Sequence, residues 1–201
     1  MACELTRSRP LDCKDIMAGV RNIYFVQHGD LTVTAAAGAI SQIAGAGGYS
    51  DGYYRYNIPK GQASMIETIS ASIETGTLFY DGAVNLKLHK LSLADRNEIN
   101  LLAQNRLIVF VELYQTTAGK NDIWAFGVEN GCELTAGSAT SGAGFGDLNG
   151  YDLTFNSSEA NPALRLADYT SVPFDNFTLT KGVAIATLFF SNFVNKKLCI
   201  N

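Results

Sequence analysis

Residues Gln62–Leu91 read QASMIETISASIETGTLFYDGAVNLKLHKL, and the spacing of their apolar side chains decides the fold class. Met65, Ile69, Ala71 and Ile73 share one parity, broken only by Glu67. After the turn around Glu74–Thr77, Tyr80, Val84, Leu86 and Leu88 fall on one face, while Asp81, Asn85, Lys87 and His89 take the other. A period of two belongs to strands with one covered face and not to helices. Two such runs joined by a short glycine-containing turn predict a long β-hairpin over residues 62–91. A ribbon of this length is expected to project beyond the core of a single domain.

Outward from the hairpin, one helix is expected, SLADRNEINLLAQNR over residues 92–106. Ser92 can cap its free N–H groups, Asp95 stands three residues on as in a capping box, and Ile99, Leu102 and Ala103 form one apolar stripe. The near-continuous apolar run LIVFVELY, Leu107–Tyr114, predicts a central strand. DIWAFGVEN, with the single tryptophan Trp124, predicts another, followed by the weakly alternating GCELTAGSAT and a clean alternation through Tyr151, Leu153 and Phe155. On the other side, NIYFVQH over Asn22–His28 is a first strand, residues 35–48 are either a loop or a weak strand, and residues 1–21 form an irregular arm. Late strands are expected at 176–180 and within 183–194. The order of elements predicts one mainly β domain over residues 1–201, an antiparallel sandwich or barrel with one flanking helix and a long projecting hairpin.

Composition narrows the function classes. The chain of 201 residues is 47% hydrophobic but only 17% charged, so neutral polar groups or other subunits must cover much of its surface. A net charge of −4 argues against gripping nucleic acid through its phosphates. MACELTRSRPLDCKD lacks the apolar core of a secretory signal, which predicts synthesis in a cytosol, and no apolar run is long enough to span a membrane. Cys3, Cys13, Cys132 and Cys199 show no CxxC pair, so reduced thiols and no metal are expected.

The chemical motifs are weak. Glycines 142, 144 and 146 in GAGFGDLNGYDLTFNSSEANPA invite a nucleotide-binding reading, but the spacing is GxGxG and a strand follows, so no helix N-terminus is expected to hold an anion. His28 ends a strand, and His89 lies on a polar strand face. Asp95 and Glu98 suit the first turns of a helix better than a carboxylate pair for glycoside hydrolysis. No catalytic residue, cofactor or metal site is predicted. GGYSDGYYRYNIPKG is the better binding candidate: Tyr54 and Tyr56 share one face, Tyr49 and Tyr53 the other, and such rings serve cross-strand packing, subunit contact or sugar stacking.

The opening ACELTRSRPLDCKDIMAGVRNIYFV and the segment DIWAFGVENGCELTAGSATSGAGFGDLNGYDLTF, followed by EANPA, resemble structural proteins of tailed phages that infect Bacteroidetes, including the crAss-like group. The resemblance covers most of the chain, in turn-rich and not catalytic motifs. It implies a tail-tube or head-to-tail ring subunit, non-enzymatic, assembled in the bacterial cytoplasm and resident in the tail or neck of the virion. Its partners would be other copies in a cyclic ring of six or twelve, adjacent tail, neck or portal rings, and double-stranded DNA passing through the lumen without sequence-specific contact, with no membrane involved. Met65, Ile69, Ile73, Tyr80, Val84, Leu86 and Leu88 of the hairpin, with Tyr54 and Tyr56, are the candidate subunit-interface residues. The rival expectations are a carbohydrate-binding or adhesion β-sandwich using the tyrosines, and a small β-barrel enzyme with a dispersed site at His28 or His89.

Overall fold

The computed structural model describes residues 7–11, 14–45, 52–166, 169, 174 and 180–181. In chain order the elements are β1 (Val20–Gln27), β2 (Leu31–Ala36), β3 (Ala39–Gly45), β4 (Gly52–Asn57), β5 (Ala63–Ser72), β6 (Thr77–His89), α1 (Leu93–Gln104), β7 (Leu107–Thr117), β8 (Lys120–Phe126), β9 (Glu133–Thr140), β10 (Gly150–Glu159), β11 (Leu164–Leu166) and β12 (Thr180–Lys181). The fold is mainly β. A large sheet has the order β12-β4-β1-β7-β8-β11-β3-β2, and a small one the order β5-β6-β10-β9. Among the described residues neither sheet closes into a barrel, so the barrel half of the expected class is replaced by two open sheets. Nor is the pairing antiparallel throughout, because β11 runs parallel to β3 and β12 parallel to β4. The expected strand at 183–194 lies outside the described residues, as does 176–179.

The core explains which strands read as continuous apolar runs. β1 and β7 are covered on both faces. Ile23, Phe25, Val109 and Val111 face a first core, which they share with Val84, Leu86, Leu153 and Phe155 of the small sheet and Leu102 of α1. Tyr24, Val26, Ile108 and Phe110 face a second core, with Ile40, Ile43, Ile123, Tyr169 and Phe174. The Phe25 and Phe155 rings bridge the two sheets with centroids 5.0 Å apart. Each fully buried aromatic or branched side chain of this kind contributes about 1.5–3 kcal/mol.

Of residues 35–48, expected as a loop or a weak strand, 35–45 belong to the hairpin β2–β3, which turns through Ala37 (φ 52°) and Gly38 (φ 79°), and 46–48 lie outside the described residues. Two successive positive φ values are the mark of a tight hairpin turn. A register shift between Thr34 and Ala35 leaves Ser41 as an extra residue, since Thr34 pairs with Gln42 and Ala35 with Ile40. The bulge brings Ile40 and Ile43, which differ in parity, onto one buried face. Period-two counting therefore fails here for a local reason.

The helix is held as its sequence indicates. The Asp95 N–H donates to the Ser92 hydroxyl at 3.0 Å, and that hydroxyl donates to the Asp95 carboxylate. Leu102 is buried and Ile99 packs on the first core, whereas Ala103 is exposed.

Candidate subunit-interface surface

The long antiparallel pair β5–β6 runs in register from Ala63 opposite Leu86 to Ser72 opposite Thr77, closed by the turn 73–76 with Gly76 at φ 65°. Direct opposition of Met65 with Val84 and Ile69 with Tyr80 puts all four on one face. At the base, this face belongs to the chain's own interior. Val84 and Leu86 are each 1% exposed, and Met65 and Leu88 pack against the first core. Of these four expected interface residues, Val84 and Leu86 are thus buried in the chain's own core, and Met65 and Leu88 are half-buried against it.

Farther along the ribbon the same face leaves the core. Glu67 accepts the Ala163 N–H and forms the polar boundary. β10 reaches only as far as Glu159 opposite Tyr80, which is half-buried. Beyond it Ile69 is 63%, Leu78 54% and Ile73 101% exposed. Parity sets Ile69, Ala71 and Leu78 on the continuation of the core face, and Ile73 follows in the turn. The ribbon's apolar stripe is thus longer than the core that covers it.

The other face of the small sheet is mixed, with Ile66 and Phe79 56% and 41% exposed among its polar groups. Ser70 and Ser158 donate to Asp81 at 3.3 and 2.6 Å, Thr154 donates to Asn85 at 2.8 Å, and Lys87 pairs with Asp152 at 3.4 Å. Hydroxyls and amides dominate, and the charges nearly cancel. Both outer edges of this sheet, on β5 and β9, lack a strand partner among the described residues.

A cleft of about 790 Å³ opens between α1 and β9, lined by Leu91, Leu93, Ile99, Leu134, Tyr151 and Leu153, with Arg96 also at its wall. The Tyr151 hydroxyl donates to the Ser92 carbonyl at 3.3 Å and ties the start of the helix to the sheet. Leu93 is 75% exposed, an unusual position for an unpaired leucine in a first helical turn. Sequence reading missed this cleft; Leu91 and Leu93 flanking the capping serine were its one visible sign.

The tyrosines separate. The Tyr56 ring packs edge-on to Phe25, centroids 4.9 Å apart, and burial, with Glu98 and Asp95 nearby, pushes its hydroxyl well above the usual phenol range. Tyr53 packs between Tyr24 and Phe174. Tyr54 is exposed, and Tyr49 lies outside the described residues. Of the two tyrosines expected at an interface, Tyr56 is thus largely spent in the core and Tyr54 remains accessible.

The glycine loop between β9 and β10 is closed by its own carboxylate. Asp147 accepts the N–H groups of Ala143 and Gly144 at 2.9 and 2.7 Å, and these two bonds hold its pKa below the ordinary aspartate value. The donors that a phosphate would use are already engaged, and β10 follows. His28 meets the Glu129 carbonyl at 3.2 Å, and His89 is exposed. Cys132 is buried, and desolvation pushes its thiol up to about 12. Among the described residues no three His, Cys, Asp or Glu side chains gather in a way that could hold a metal ion, and no helix is long and apolar enough to cross a membrane.

One polar cluster escaped sequence reading altogether. Glu112, 4% exposed in the middle of β7, accepts from Asn22 at 2.6 Å, Tyr24 at 2.7 Å and Asn121 at 2.6 Å. Beside it, Asp122 receives both Nε and Nη2 of Arg165, and the Lys120 ammonium donates to the Tyr169 carbonyl. Burial first, then the bond to Glu112, holds the Tyr24 hydroxyl far above its usual pKa, so it stays a donor. A glutamate inside an apolar strand demands such partners, and that was the available signal. The groups satisfy one another, and their chemistry is that of a structural tie between β1, β7 and β8.

The chain matches no protein-family model, and no curated protein or solved structure matches it.

Proposed function

We propose that this protein is a non-enzymatic structural subunit that assembles with copies of itself into a closed ring of a phage tail or neck, a conduit for the passing genome. The observation that carries the reading is the apolar face of β5–β6, which continues through Ile69 and Leu78, with Ile73 in the turn beyond, where none of the described residues covers it. Exposed apolar area of this kind marks a contact surface. The free edges of β5 and β9 add to it. Strand directions alternate across β5-β6-β10-β9, so β5 of one copy beside β9 of the next continues an antiparallel sheet and removes two open edges. The outer face carries exposed Ile66 and Phe79 beside its hydroxyls and amides and has Lys87 balanced by Asp152, so it offers no excess of cations to hold a polyanion. The resemblance to tail-tube and head-to-tail ring proteins points the same way, and a tail-tube-type fold with a projecting hairpin belongs to this proposal. Virion residence and contact with neighbouring tail, neck or portal rings follow from it.

Sedimentation velocity from low to high protein concentration, with electron-microscope images of the heaviest species, tests the reading. Closed rings of one size with a central channel are expected. A strict monomer at every concentration overturns it.

A further inference from the structure

Among the described residues nothing covers the ribbon tip and nothing fills the α1–β9 cleft. We infer that each completes the other between copies: the β5–β6 tip of one subunit seats in the α1–β9 cleft of the next. This rests on the self-assembly proposed above and names the two surfaces that meet.

The first reason is distance. The cleft wall at Leu91 follows the end of β6, while Ile73 lies in the turn before its start, so the whole 13-residue strand separates them. At 3.2–3.4 Å per residue that is about 40 Å. β6 is flanked by β5 and β10 over most of this length and cannot fold back. A chain therefore cannot place its tip in its own cleft.

The second reason is chemistry. The tip offers Ile69, Ile73 and Leu78 with one charge in its turn, Glu74. The cleft offers Leu91, Leu93, Ile99 and Leu134 with one cation, Arg96. Neither Glu74 nor Arg96 makes an ion pair among the described residues. A space of about 790 Å³ lies in the range that encloses a drug-sized ligand, which accommodates three aliphatic side chains. Different patches at opposite ends make the contact head-to-tail, the geometry that closes into rings or runs on as filaments.

A mixing experiment with full-length chains tests the pairing. The tip variant carries Ile69→Glu and Ile73→Glu; the cleft variant carries Leu93→Glu and Ala139→Glu, Ala139 of β9 also lining the cleft. All four positions are exposed, and circular dichroism checks that each variant folds. Should a double variant fail to fold, Ile73→Glu alone and Leu93→Glu alone replace it. Each variant by itself is expected to sediment as a monomer. Their mixture retains one good tip and one good cleft, and is expected to give a 1:1 dimer that grows no further. If wild type assembles but the variants assemble equally well, or the mixture stays monomeric, the pairing is refuted while self-assembly stands. If wild type itself never assembles, both readings fall.

Discussion

Replacing Glu112 by leucine removes the acceptor on which three side chains converge. Asn22 and Tyr24, 3% and 2% exposed, have no access to water and are left as buried donors without partners. Asn121 is half-buried and recovers solvent. Each unsatisfied buried donor costs about 1–3 kcal/mol, and relief from desolvating a carboxylate offsets part of the sum. The expected loss is about 4 kcal/mol, a large share of the roughly 5–15 kcal/mol that holds a domain folded. For a chain of this size it corresponds to a melting temperature lower by about 8–16 °C. Glu112→Gln keeps one oxygen for Asn22 and Tyr24 and turns its amide toward Asn121, which can rotate to accept; about 1 kcal/mol is expected. Urea unfolding followed by Trp124 fluorescence measures both, in an Ile73→Glu background so that assembly adds no concentration-dependent stability. Glu112→Leu within about 0.5 kcal/mol of its parent, or Glu112→Gln costing more than Glu112→Leu, refutes the role of the carboxylate as common acceptor.

Three other outcomes are expected. A methyl group added at Gly82 would lie 2.5 Å from the Phe126 ring and 2.8 Å from the Ser157 hydroxyl, so Gly82→Ala should cost about 1–3 kcal/mol in the same unfolding assay, whereas Gly146→Ala, facing open space, should be silent. Because Asp147 is a carboxylate with a lowered folded-state pKa, its hold on the loop is complete above the unfolded aspartate pKa and lost as pH falls through the lowered one. The Ala143 and Gly144 amide resonances should accordingly titrate below the ordinary aspartate range, and Asp147→Asn should abolish that step; a midpoint at or above the ordinary value contradicts the geometry. In a variant with Cys3, Cys13 and Cys199 changed to serine, Cys132 should resist a thiol reagent at pH 8 until denaturant is added, since its thiol is pushed up to about 12. Rapid labelling of the native protein would disprove the burial.

Elements whose signal is local were legible in the chain. The alternation through Val84, Leu86 and Leu88, the Ser92–Asp95 cap and the apolar run of β7 each depend on neighbours within a few residues, so β6, α1 and β7 lie where their patterns indicate. β2 and β3 were obscured because the bulge at Ser41 changes parity between Ile40 and Ile43. The interface residues divide for a different reason. Period two reveals that one face of β6 is covered but is silent on what covers it. Phe155 and Leu153, some seventy positions later, claim Val84 and Leu86, while none of the described residues covers Ile69 or Ile73.

The amino-acid order alone determined a mainly β chain with one capped helix and alternating strands over β5 and β6, because backbone geometry converts apolar spacing directly into strand or helix. Only the tertiary structure decided where the core stops along those strands, that Glu112 has three buried donors around it, and that a cleft opens between α1 and β9. Each of these depends on which distant segments come to lie side by side, and a periodicity carries no record of its opposite face.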